Sequence, residues 1–308
     1  MMGPVRPWRP AVRHHLAAPA SQPVRLCLPL PACLRPVPPD MPAPEPRPGD
    51  LPFPLPGGRT LTLLPERAAW LADAGLLLVA DVHFGKAASF RRLGVPVPSG
   101  TTGGNLARLD ALLARLAGAV RELVFLGDFL HAASGRAPAT LAALQAWRGC
   151  HAGITMTLVR GNHDDHAGDP PPGLHITVVD EPWHHAGLAL CHDPATPCAP
   201  GAPADYVVAG HLHPTTMLGR GYDALRLPCF HARAGRSTPD GQPGPAGVLV
   251  LPAFGEFTGG AAVRAAVGDV VCVAAGDRVV RLAGQPVMSP AGHRRPARRP
   301  GSAPSPKT

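Results

Sequence analysis

The sequence predicts an α/β fold: two mixed β-sheets packed face to face and flanked by helices, a four-layer αββα sandwich. Three observations predict it. Apolar runs too short for helices end repeatedly on Asp, Asn or His: Leu76–Ala80 before Asp81 and His83, Leu123–Leu126 before Gly127–Asp128, and Ile154–Val159 before Gly161–Asn162–His163–Asp164. Between these runs lie stretches of helical periodicity, and the resulting βαβαβ order makes a parallel sheet with right-handed crossovers. From Leu174 onward short apolar runs alternate with Gly and Pro turns, the pattern of a mainly β half.

Taken in order, Leu61–Leu64 and Ala68–Leu71 read as short strands, and Asp73–Ala74–Gly75 as the turn into the central strand at Leu76. That strand is apolar on both faces, as a buried strand must be. After Gly85 a helix carries Lys86 to Arg92 and is ended by Gly94 and the Pro96/Pro98 pair. Thr101 or Thr102 can cap a longer helix whose Leu106, Leu109, Leu113 and Leu116 form one apolar face. A further helix spans Ala137–Arg148. Strands follow at Ile176–Val179, Leu188–Cys191, Tyr206–Ala209, Thr215–Leu218, Leu225–Phe230, Val248–Pro252, Val270–Val273 and Arg278–Leu282.

With 308 residues, 45% of them hydrophobic, the chain can bury a full core. Residues 1–50 and 284–308 are crowded with Pro, Ala and Arg and have no helical or alternating period. They read as a disordered Pro/Arg-rich extension and a disordered basic tail around one domain at residues 51–283. The net charge of +8 divides the same way: six Arg against three acids give residues 1–50 +3, and five basic residues without an acid give residues 284–308 +5. Residues 51–283 are therefore neutral, and the basic balance is no footprint of nucleic-acid binding by the fold. Pro interrupts every N-terminal apolar run and none is long enough to span a bilayer, so no membrane association is expected and the cytoplasm is the default location. An internal Met41 offers a second start, which leaves open whether residues 1–40 belong to the natural protein. The seven cysteines are scattered without a CxxC pair, against a disulfide framework or a structural zinc site; Cys191, Cys229 and Cys272 read as small buried hydrophobes.

Two later runs also end on histidine, Leu188–Cys191 before His192 and Tyr206–Ala209 before Gly210–His211–Leu212–His213. Ligands of open α/β sheets bind outside the carboxyl ends of the strands. Divalent cations take carboxylate, amide oxygen and neutral imidazole ligands, and Asp81, His83, Asp128, Asn162, His192, His211 and His213 are that set. One His at a strand end is ordinarily a solvated or core residue; seven donors on successive tips point to a single metal site. A carboxylate at Asp128 can bridge two ions, the clamp used in phosphoryl displacement. His131, three residues on, is placed to orient a ligand. Lys86, Arg91 and Arg92 follow the first motif closely enough to reach a substrate phosphate, or form a solvated helix face. Phe254 and Phe257 flank a Gly-rich turn, suited to base stacking or core packing.

In this order, Asp81-x-His83, Gly127–Asp128, Gly161–Asn162–His163–Asp164, His192 and Gly210–His211–Leu212–His213 resemble the five motifs of the calcineurin-like metallophosphoesterase superfamily. The resemblance implies the metallophosphoesterase fold and two divalent ions, with manganese expected first and iron, zinc or magnesium as alternatives. It puts Asp81, His83, Asp128 and His213 on one ion, and Asp128, Asn162, His192 and His211 on the other. It makes His163 the residue that contacts the scissile phosphate and protonates the leaving oxygen, oriented by Asp164. More narrowly, Phe84–Thr102 and Leu251–Gly260 resemble the ligase-associated phosphoesterases of bacterial DNA-repair gene clusters, over roughly residues 59–260. That resemblance implies a DNA phosphodiesterase or endonuclease working with an ATP-dependent ligase and a helicase. A phosphatase or phosphodiesterase on small nucleotides uses the same metals and differs only in its cleft. A non-catalytic protein-binding scaffold is the third reading, against which the intact ligand set counts. Self-association of the chain is left open.

Overall fold

The computed structural model describes residues 44–97, 100–116, 118–197, 206–219, 221–235 and 245–282, all of which fall in one compact unit. The two expected disordered tails, residues 1–50 and 284–308, lie outside the described residues, apart from residues 44–50.

The first sheet runs in strict chain order: β1 (Leu51–Pro54), β2 (Thr60–Leu64), β3 (Ala68–Leu71), β4 (Leu76–Ala80), β5 (Glu122–Leu126), β6 (Thr155–Val159) and β7 (Thr177–Val179). β1 to β4 pair antiparallel and β4 to β7 parallel. The second sheet contains β8 (Trp183–His185), β9 (Leu188–Leu190), β10 (Tyr206–Ala209), β11 (Pro214–Leu218), β12 (Leu225–Ala234), β13 (Gly247–Val250), β14 (Ala261–Ala262), β15 (Val270–Ala275) and β16 (Arg278–Arg281). It is mixed too, with β10 parallel to both β9 and β13 while β12 pairs antiparallel with β11, β13 and β15. This is an α/β fold of two mixed sheets with helices, consistent with a metallophosphoesterase.

Alternation along the parallel strands explains the layering. Leu76, Leu78, Ala80, Val124 and Leu126 face the second sheet and meet Leu188, Leu190, Val208, Phe230 and Leu249. Leu77, Val79, Leu123 and Phe125 face the other way, onto the leucine row Leu106, Leu109, Leu113 and Leu116. Both faces are buried, so every residue of β4 is apolar. The helices are α1 (Lys86–Arg92), α2 (Thr101–Arg115), α3 (Pro138–Cys150) and α4 (Asn162–Ala167). All four lie between β4 and β7 in the chain; the expected helices over the second sheet are not among the described residues.

Local departures from expectation have local reasons. Neither Thr101 nor Thr102 caps α2; Gly100, at φ 92°, is the cap residue and the helix starts on Thr101. β1 is a Leu-Pro-Phe-Pro stretch whose prolines take the more exposed alternate positions of an edge strand, where a missing N–H costs nothing. Cys191, Cys229 and Cys272 are buried in apolar surroundings, as expected.

The chain docks onto the domain before residue 51. The Asp50 carboxylate pairs with Arg115 of α2, which also holds Glu66 at 2.6 Å, and the Gly49 carbonyl accepts the Val279 N–H at 2.8 Å. A chain begun at residue 51 leaves the half-buried Arg115 with one partner fewer. It should be less stable than one begun at residue 44 by about 1–3 kcal/mol in urea denaturation. Equal stability of the two would show that this docking contributes nothing.

Candidate metal centre

Five ligand-type residues occupy the left-handed region of backbone space: Asp81 (φ 53°), His83 (46°), Asp128 (50°), His211 (68°) and His213 (43°). Each costs about 1–2 kcal/mol relative to an extended residue, and Asp and His tolerate the region better than most. The turns they make leave the strand abruptly and aim side chains back across the carboxyl edge of the sheet. The loops stay laced together beyond the strands: His83 N–H donates to the Asp128 carbonyl at 2.9 Å and Phe84 N–H to the Phe129 carbonyl at 2.8 Å. His211 N–H donates to Asp81 Oδ2 at 3.0 Å, which ties a tip of the second sheet to one of the first.

Glycine makes the close approaches possible. A Cβ on Gly127 (φ 75°) would overlap the His192 imidazole, and one on Gly161 would lie 2.6 Å from Asp128 Oδ1. The glycines before Asp128 and Asn162 therefore leave room for a neighbouring ligand.

The seven expected donors come together as two overlapping groups. In the first, ligand atoms of Asp81, His83, Asp128 and His213 all lie within 4.8 Å of one another. His83 Nε2 is 3.3 Å from His213 Nε2 and 3.6 Å from Asp128 Oδ2, and His213 Nε2 is 3.5 Å from Asp81 Oδ1. In the second, His192 Nε2 is 2.8 Å from Asn162 Oδ1, 2.9 Å from His211 Nδ1 and 3.5 Å from Asp128 Oδ1. Asp128 turns one oxygen to each group. Asp81 and Asp128 are buried, as are His83 and His192, whereas Asn162 is exposed. Burial holds His83 far below its ordinary pKa, helped by Lys86 and by the neighbouring His213, His163 and His131, so its imidazole is neutral. Carboxylates, an amide oxygen and neutral imidazoles turned to common points fit divalent cations, and the cluster is consistent with a dimetal site.

His163 sits at the mouth, its side chain 37% exposed. Its N–H donates to Asp128 Oδ1 at 3.0 Å, and its Nδ1 lies 2.8 Å from the His131 carbonyl. That contact assigns the proton to Nδ1 and leaves Nε2, 4.0 Å from Asp128 Oδ2, facing the cleft. The expectation that Asp164 orients His163 is corrected here. Asp164 is buried and both its oxygens are used within the loops, accepting Leu130 N–H and Gly161 N–H at 3.1 Å each. Burial pushes its pKa up to about 6 against those hydrogen bonds. His131 does the orienting, through its backbone carbonyl rather than its ring. The ring stacks on His163 at 5.0 Å and on Phe90 at 6.0 Å, and burial lowers its pKa to about 4.

Lys86 lies near both carboxylates, with Nζ 3.3 Å from the Thr258 carbonyl. Arg91 is further along α1 and lines a separate groove with Arg92 and Arg136. The Gly-rich turn divides its two aromatics: Phe254 is core, under the Arg108 guanidinium at 4.4 Å, while Phe257 is 49% exposed and meets Phe90 edge-on at 5.9 Å. Phe90 escaped the sequence reading, although its place four residues after Lys86 puts both on one helix face. Glu181 escaped as well; its carboxylate accepts the His192 and Asp193 N–H groups and fixes the turn that carries His192. No spacing rule announces it.

Fold and donors together define a class: this is a metal-dependent phosphoester hydrolase. A family model described as calcineurin-like phosphoesterase matches residues 75–194. The crystal structure of Pseudomonas putida nuclease MPE is similar at 43% sequence identity, covering 76% of this chain and all of that one, with a TM-score of 0.60. The chain belongs to the calcineurin-like phosphoesterase family. No curated protein matches it. Among the described residues no helix is long and apolar enough to cross a membrane.

Gly127 gives a direct check on this architecture. Gly127→Ala should displace His192 and lower bound metal to one ion per chain or fewer by elemental analysis, with an unchanged far-UV spectrum. Two retained ions would show that His192 needs no such room.

Proposed function

We propose that the protein is a two-metal phosphodiesterase acting on DNA, in repair, alongside an ATP-dependent ligase and a helicase. The observation that carries the reading is Asp128, turned to both donor groups at once, in a chain similar over 76% of its length to a protein named a nuclease. In this reading Asp81, His83, Asp128 and His213 hold one ion, and Asp128, Asn162, His192 and His211 the other, with manganese the metal in use. The chemistry two bound cations supply is Lewis-acid polarisation of the phosphoryl group and activation of a water. The chain itself keeps the acceptors neutral or anionic and fixed in place. It also presents His163, whose Nδ1 proton is committed to the His131 carbonyl, so that a proton on Nε2 goes to the leaving oxygen. In this reading Lys86 offsets phosphate charge, and exposed Phe257 beside Phe90 offers a face on which a base can stack.

The test is a manganese-supplemented panel of bis-p-nitrophenyl phosphate, p-nitrophenyl phosphate, cyclic nucleotides and single-stranded or nicked DNA. Diester and DNA should be cleaved, with activity lost to a chelator and restored by manganese. Turnover confined to p-nitrophenyl phosphate or cyclic nucleotides would make the protein a small-nucleotide phosphoesterase instead. Co-purification of the full chain with the ligase checks the partnership.

His163→Ala should keep both ions while lowering kcat by about two to four orders of magnitude. The loss should be smaller for p-nitrophenol, which barely needs a proton to leave. Equal losses for good and poor leaving groups would assign His163 an electrostatic role, and loss of an ion would make it a ligand.

A further inference from the structure

A cavity of about 500 Å³ lies on the far side of the Ala253–Glu256 loop from the metal centre, walled by that loop, α2, the β2–β3 turn and the β15–β16 turn. Four arginines line it, Arg47, Arg67, Arg108 and Arg115, of which Arg67 and Arg108 hold the loop. The loop's own peptides fix which side it is on. The Ala253–Phe254 peptide gives its carbonyl to Arg67 Nη1 (3.5 Å) and its N–H to the Ala80 carbonyl (2.8 Å). The next peptide gives its carbonyl to Arg108 Nη1 (2.7 Å) and its N–H to the Asp81 carbonyl (3.2 Å). A trans peptide points these groups in opposite directions, so the arginines back the strand tip that carries Asp81 without entering its site.

Three carboxylates share the lining, Glu66, Glu256 and Asp277, but none of them pairs directly with Arg67 or Arg108. Arg115, also in its wall, is paired with Asp50 and Glu66. Among the described residues no carboxylate oxygen lies within 4.0 Å of Arg67 or Arg108; their partners are backbone carbonyls and the Phe254 ring. Burial lowers the pKa of Arg67, and burial together with the neighbouring Arg67 charge brings Arg108 down to about 10. Exposed Glu256 acts against both shifts from the rim. Two like charges drawn together out of water are unfavourable unless an anion joins them.

We propose that this cavity is an anion site that seats a phosphate group between Arg67 and Arg108. Guanidinium forks match phosphate oxygens, and the volume admits a mononucleotide. The phosphate can be free, as inorganic phosphate or a nucleotide, or part of a strand.

The test is calorimetry on the full chain stripped of metal by a chelator, so that no cation at the metal centre holds the probe. The probes are inorganic phosphate, dAMP, and a single-stranded hexanucleotide with and without a 5′-phosphate. One equivalent should bind, Arg67→Gln should weaken it at least about tenfold, and Glu256→Gln, which removes the competing rim charge, should tighten it about two- to fivefold. Binding of phosphate and dAMP marks a free anion as occupant; Arg67-dependent binding of the hexanucleotides alone marks a strand. Should Arg67→Gln fail to fold, the exposed Glu256→Gln decides alone. Absence of binding by every probe, or affinities indifferent to both substitutions, overturns the site.

Discussion

The carboxylates of Asp81 and Asp128 are buried among imidazoles, and most of the architecture serves to keep them there. Burying two anions side by side is costly unless opposite charge accompanies them, and His83, the imidazole nearest Asp128 Oδ2, is held neutral by its surroundings. Divalent cations held by this cluster would supply the missing charge. Several features follow from that one requirement: strand tips that stop in left-handed turns, and glycines that let loops touch. Cross-sheet ties such as His211 N–H to Asp81 add to them. The strain is stored where the metal is held and offset by the apolar layers on either side of β4 and β5.

The parts legible in sequence are those that obey a period or a stop signal. β4 is apolar because both faces are covered, and Asp81 must lie at its end because a charge cannot continue it; β5, β6 and β10 repeat the argument. The leucine row of α2 lands on Leu77 and Phe125 as its spacing requires. β1 was illegible because proline argues against a strand, and only its edge position makes it acceptable. β8 is three residues long, Trp183–His185, too short to show alternation.

At the centre, residue types could be read but not their wiring. The resemblance offers Asp164, its neighbour, as the orienter of His163, and sequence offers His131, in the motif before, only as a residue placed to orient a ligand. Geometry decides between them: α4 begins at Asn162, so Asp164 points back into the loops as the third residue of the helix, while His163 faces the His131 carbonyl. Orientation through a backbone carbonyl leaves no residue-type signature. The same holds for Glu181, which positions His192 by accepting two N–H groups.

Net charge misleads here for a related reason. Residues 51–283 sum to zero, yet the surroundings of the centre are divided. On the side of His192 and His211 a groove is lined by Asp165, Asp180, Glu181 and Asp193, with Arg160 the one arginine or lysine among the described residues that line it. On the side of α1, Lys86 stands by the carboxylates and Arg91, Arg92 and Arg136 share a groove without an acid. A polyanion feels the local field within about a Debye length, roughly 8 Å at physiological salt, not the sum over the domain. That field favours approach across α1, past Phe90 and Phe257, toward the exposed face of His163. Under the proposed reading a neutral fold is thereby compatible with an anionic polymer as substrate, approaching along the helix that follows the first metal motif.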